Sequence, residues 1–179
     1  MRRARRLLPF AIVVAAAVAF PAVAAANVQP GTYTAKIHPA NAPRGTHFAS
    51  GSSATCTVNN DLSIDCSSYT LAGVGHTNAT VRLVASYTAV VDCTNKGGKL
   101  VLAQTKTATS SKTRTVTSSK NGKMIVPSVS VSPPTTTLNV CPNPNWTASI
   151  KSLTLNSFRY TLRFAGFSGP YIVIRATDP

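Results

Sequence analysis

The chain has 179 residues, in which 18 lysines and arginines face four aspartates and no glutamate, a formal net charge of +14. With so few carboxylates, chemistry built on a pair of acids has almost no material to draw on. Threonine, serine and valine suit strands and turns, whereas the better helix formers are scarce, so almost no helix is expected beyond the N-terminal segment.

Residues 1–26 begin with Arg2, Arg3, Arg5 and Arg6 and continue as an apolar run to residue 20. They end in Ala22-Val23-Ala24-Ala25-Ala26. A charged start, an apolar middle and small residues at the end are the marks of a secretory signal peptide. The run is broken by Pro9 and Pro21 and falls short of the ~20 residues a spanning helix needs. Cleavage is expected after Ala26, with Ala24 as the alternative. The mature chain, 27–179, keeps fourteen of the bases and all four acids, Asp61, Asp65, Asp92 and Asp178, a net charge of +10. It is read as one domain, long enough to bury a core.

A short strand is expected at 32–37, followed by a loop rich in Pro, Gly and Ser up to residue 53. In Thr55-Cys56-Thr57-Val58-Asn59-Asn60-Asp61-Leu62-Ser63-Ile64-Asp65-Cys66, folding the chain about Asn59–Asp61 sets Cys56 against Cys66 and Val58 against Ile64. Opposed residues of an antiparallel pair sit ~4.5–5.5 Å apart, within disulfide range. That leaves Cys93 for Cys141, so two structural disulfides are expected of the four cysteines rather than a metal site, whose ligands come closer spaced.

The clearest strand is 79–93, where Val81, Leu83, Ala85, Tyr87, Ala89, Val91 and Cys93 alternate with polar residues, one face dry and one wet. Lys96-Gly97-Gly98-Lys99 turns the chain into a strand at 100–107. Residues 104–120 are polar, with Val116 the only large apolar side chain, and read as a mobile edge segment whose lysines discourage pairing with other chains. Asn121-Gly122 signals a hairpin joining 112–120 to 123–131. Pro133-Pro134 and Pro142-Asn143-Pro144 interrupt pairing. The last strands are expected at 147–155, 158–165 and 171–176. Many short strands between turn signals, two disulfides and little helix predict an all-β, antiparallel, immunoglobulin-like β-sandwich.

Motifs for chemistry are thin. The aspartates suit turns and wet faces. Gly166-Phe167-Ser168-Gly169 lacks the second glycine of a nucleophile elbow. His38, His47 and His76 are scattered, which argues against a metal centre. His76, in the glycine-flanked loop Gly73-Val74-Gly75-His76-Thr77-Asn78, is the best lone candidate of the three, and a secreted hydrolase using a serine and His76 is the enzymatic alternative. Trp146, the one tryptophan, is expected to pack beside the Cys93–Cys141 bridge rather than to stack on sugars. No catalytic residue, cofactor or metal is predicted.

Charge is the feature with physical consequence. No acid lies between Asp92 and Asp178, and Lys96, Lys99, Lys106, Lys112, Arg114, Lys120 and Lys123 are the candidate polyanion-binding residues of that stretch. They lack the interleaved aromatics of a base-stacking surface, so specific nucleic-acid recognition is not expected. An anionic envelope polymer or lipid surface is the expected partner of a non-catalytic extracellular or wall-associated module. A secreted inhibitor or effector presenting 104–120 is the further alternative.

The segments CTVNNDLSIDCSSYTLAGVGHTNATVRL (56–83), YTAVVDCTNKGG (87–98) and CPNPNWT (141–147) together resemble small secreted proteins that actinobacteria encode in large numbers. The resemblance implies a bacterial exported protein with four structural cysteines, and it carries over no catalytic residue.

Overall fold

The computed structural model describes residues 27–135 and 140–176. The expected signal peptide with its cleavage point at Ala26 lies outside the described residues, as does Asp178. The described chain is strand after strand: β1 (Gly31–Thr34), β2 (Lys36–Ile37), β3 (His47–Phe48), β4 (Thr55–Val58), β5 (Ile64–Cys66), β6 (Tyr69–Ala72), β7 (Ala79–Thr94), β8 (Leu100–Val116), β9 (Met124–Val126), β10 (Val129–Val131), β11 (Thr147–Phe164) and β12 (Ile172–Ala176). One 3-10 turn at Pro39–Asn41 is the only helical element among the described residues, and every strand pairing is antiparallel.

One layer is a five-stranded sheet in the order β2-β12-β11-β7-β8. The other is made of a four-stranded sheet, β1-β4-β5-β10, and a three-stranded one, β3-β6-β9. Cys56 faces Cys66 and Val58 faces Ile64 across β4 and β5, the register read from the sequence. β5 then pairs with β10, and β6 with β9, on one common offset, Cys66 opposite Val129 and Tyr69 opposite Val126. These two ladders are therefore a single strand pair, interrupted where Ser67 and Ser68 meet Pro127 and Ser128. Pro127 has no N–H to give a ladder, so a break there is cheap. β1 flanks β4 and β3 flanks β6.

Side chains from both layers form one buried cluster, with Val58, Ile64, Leu71 and Met124 on one side and Leu83, Tyr87, Phe158 and Tyr160 on the other. Each such side chain contributes about 1.5–3 kcal/mol by leaving water. Polar handles inside it are satisfied. The Tyr69 and Tyr160 hydroxyls meet at 2.8 Å, and Tyr87 donates to the Leu62 carbonyl at 3.0 Å. Tyr33 sets its ring edge-on to Phe158 at 5.1 Å.

The disulfides join Cys56 to Cys66 and Cys93 to Cys141. Neither crosses between the layers: the first staples neighbouring strands of one sheet, and the second ties β7 to the segment leading into β11. In antibody domains the bridge instead joins the two sheets.

The sequence predicted two strands, 147–155 and 158–165, where the structure has one. Inward-facing residues of β11 are Ala148 and Ile150, then Leu153 and Leu155, then Phe158, Tyr160, Leu162 and Phe164, so the parity switches twice. A register shift falls between Ile150 and Ser152 and another between Leu155 and Ser157, leaving Lys151 and Asn156 as the extra residues. Each bulge resets the alternation and keeps the apolar side chains inside. Likewise the expected strand 32–37 is split at Ala35, with β1 in one layer and β2 in the other.

The 119–123 turn forms as expected, with the Gly122 N–H donating to the Ser119 carbonyl at 3.1 Å and Gly122 at φ 67°. It does not join a long hairpin of 112–120 with 123–131. β8 pairs along its length with β7, and β9 pairs with β6, because the inward Met124 and Val126 continue the core while β8 has no apolar face of its own. Residues 104–116 are part of one regular edge strand rather than a presenting loop.

Beyond Tyr87 on β7 and before Leu153 on β11 the common core ends, yet the three strands run on. Ala89, Val91 and Cys93 remain buried but stand apart from the shared cluster. Seven residues past Tyr87 carry this arm about 23 Å further.

Candidate functional site

The long central strand β7 has its even-numbered side chains on the sheet's outer face, away from the core. Pairing fixes what lies beside each one. Arg82 stands between Thr113 of β8 and Thr161 of β11, and Thr80 between Thr115 and Arg163. Val84 stands between Ser111 and Arg159. On the far side Arg159 is directly opposite Arg175 of β12, and Val173, opposite Thr161, faces Lys36 of β2. Thus Arg82, Arg159, Arg163, Arg175 and Lys36, scattered over 140 positions of sequence, share one surface, and all five are exposed.

Strand geometry sets their spacing. Neighbouring strands lie ~4.8 Å apart and alternate residues ~6.7 Å apart, so Arg159 and Arg163 stand about 13 Å from each other with Arg82 between them on the next strand. β8 adds hydroxyls to the face, with Thr105, Thr107, Thr109, Ser111, Thr113 and Thr115 forming a ladder along it. Three shallow hollows open there. One holds Arg82, Arg163 and Phe167; the next holds Arg82, Ser86 and Arg159; the third holds Arg159, Arg175, Lys36 and His38. Arg82 and Arg159 each border two of them, so the hollows run together across the sheet.

Among the described residues the single ion pair is Lys151 with Asp92, at 4.0 Å. The five outer cations therefore have no described carboxylate within that distance. Arg163 is steadied by one hydrogen bond from its Nε to the Phe167 carbonyl at 2.8 Å. Guanidinium groups present fixed forks of donors that match phosphate and carboxylate oxygens two at a time.

The residues proposed from sequence fall elsewhere. Lys96 and Lys99 lie on the 95–99 turn and Lys120 and Lys123 on the 119–123 turn, at opposite ends of β8, about 50 Å apart. Lys106, Lys112 and Arg114 lie opposite Ala89, Leu83 and Val81, on the inward side of the edge strand. These seven do not form one patch. The signal that would have found the outer face is parity, since Arg82, Arg159 and Arg163 all occupy wet positions of alternating strands.

The chemical candidates scatter too. His76 is exposed before β7 begins, whereas Asp92 is near its far end, about 43 Å along the strand. Asp61 accepts hydrogen bonds from the Ser63 hydroxyl at 2.6 Å and the Ser63 amide at 3.0 Å, which hold its pKa below the ordinary value. That is the reverse of what a general acid requires. Asp65 is engaged by Asn59 at 2.7 Å. No group of three His, Cys, Asp or Glu among the described residues is placed to hold a metal. Trp146 is half-buried and outside the core.

No family model matches the chain, and comparison with curated proteins and with solved structures finds no match.

Proposed function

We propose that this chain is an exported, non-catalytic binding module of the bacterial envelope. It holds an anionic envelope polymer against the outer face of its five-stranded sheet, on a scaffold of immunoglobulin-like sandwich type. The observation that carries the reading is the convergence of Arg82, Arg159, Arg163, Arg175 and Lys36 on one hydroxyl-rich face without a described carboxylate partner. A flat array of forks about 13 Å across suits a repeating polyanion, because successive phosphate or carboxylate groups engage successive cations. The threonines add hydrogen bonds to sugar or polyol hydroxyls, and the paired strands beneath hold the array rigid.

The test is retention on immobilised polyphosphate at low salt, with elution by a salt gradient. The triple variant R82A/R159A/R163A is expected to bind about tenfold more weakly, given the modest worth of exposed charge pairs. A K106A/K112A/R114A variant, with the same change in net charge, is expected to retain most of the binding. Equal loss in both variants reduces the effect to net charge and removes the outer face from the account; no retention of the unaltered protein removes the polymer.

A further inference from the structure

We infer that the end of the β7–β8–β11 arm is a second contact site, and that it docks into the surface of an anionic lipid bilayer. Four large apolar side chains are exposed among the described residues, and three of them are consecutive, Leu100, Val101 and Leu102, at 52%, 42% and 36%. They sit at the start of β8, next to the turn that carries Lys96 and Lys99. Leu102 pairs with Cys93 and Leu100 with Thr94, with the register shift leaving Val101 between them. Cys93 belongs to the inward face and Thr94 to the outward one, so the bulge sends apolar side chains to both sides of the sheet. A site for a protein partner would gather them on one face; a tip immersed in a medium needs them all round.

The third strand completes the tip. Thr147 of β11 is opposite Thr94, so Trp146 stands one residue further out, about 10 Å across the arm from Leu100. An aromatic ring with a polar handle, aliphatic side chains and lysines at their margin is the composition that settles at the boundary between headgroups and acyl chains. Charge selects the lipid. Lys96 and Lys99 immediately precede the apolar run, and the one described acid nearby, Asp92, is beside Lys151. The shared cluster ends about 23 Å back along the strands, so the tip stands well beyond it. No described helix is long and apolar enough to cross a membrane.

Trp146 is the only tryptophan in the chain and therefore reports on this tip alone. The processed chain, residues 27–179, is mixed with vesicles of phosphatidylglycerol and phosphatidylcholine, some carrying brominated acyl chains, or of phosphatidylcholine only. Trp146 emission is expected to move to shorter wavelength and to be quenched by bromine in the anionic vesicles, with little change in the neutral ones. L100S/V101S/L102S is expected to abolish the quenching, and K96A/K99A to lower partitioning about thirtyfold. Both variants alter exposed positions, and both should keep retention on polyphosphate, which separates this site from the outer face. Vesicle-bound protein whose Trp146 stays unquenched, absence of binding to anionic vesicles, or quenching unchanged in the triple serine variant overturns the inference.

Discussion

The five-stranded sheet passes through two environments, and the same three strands behave differently in each. From Ala79 to Tyr87, β7 lies over a second layer, and large side chains from both sheets close on it: Leu83, Phe158 and Tyr160 are each no more than 1% exposed. From Ala89 to Cys93 the inward residues are smaller, stand outside the shared cluster and are secured by one bridge to Cys141. Stability in the first region comes from burying large apolar side chains between the layers, and in the second from smaller buried residues together with a covalent tie on a long loop. The two should therefore fail under different insults.

Alkali should attack the core first and most severely. Burial pushes the Tyr87 and Tyr160 hydroxyls up to about 12, from an ordinary value near 10. The unfolded chain then sheds these protons before the folded one does. The stabilisation is whole below pH 10 and is lost between pH 10 and about 12, readable as a falling denaturant midpoint over that window. No tyrosine lies on the arm strands beyond Tyr87, so Trp146 emission should change only as the core opens. Phe158→Ala is next, at about 3–5 kcal/mol, because it leaves a void between the layers; a chemical melt measures it.

Replacing Cys93 and Cys141 together by serine removes a cross-link of sequence separation 48, worth about 4 kcal/mol on the chain-entropy view. The expected damage is local. Amide exchange should quicken at Ala89, Val91 and Cys93 while Leu83 and Tyr160 stay protected, and a uniform loss at both places would erase the distinction between arm and core. Smaller again is Gly73→Ala in the loop before β7. Gly73 has φ +71°, and a methyl there would run into the Gly45 carbonyl oxygen, so about 2 kcal/mol is expected in a thermal or chemical melt with no change on the arm.

The two regions also differ in how far they could be read in advance. Strict alternation made β7 legible along its whole length, and the spacing of Cys56 and Cys66 was enough for the register of β4 with β5. Alternation failed on β11, where two bulges change the parity and a continuous strand looks like two. It misled at Asn121-Gly122 as well: a turn motif specifies the reversal but not which strand receives the chain, and here the core claims Met124 and Val126. The candidate site was hidden for a related reason. Lys96 to Lys123 are neighbours in sequence yet are spread along a strand about 50 Å long. Lys36, Arg82, Arg159 and Arg175 are distant in sequence and brought together only by pairing order, which no local pattern specifies.

Lys151 and Asn156 have a consequence for how this chain can change length. In a strand with one dry face, losing any ordinary residue turns everything on one side of the gap inside out. The two surplus positions are exempt: without Lys151, Ile150, Ser152 and Leu153 still fall in, out and in, and without Asn156 so do Leu155, Ser157 and Phe158. Within an eighteen-residue strand, these are the two sites where a single-codon deletion leaves the lining of the molecule in place.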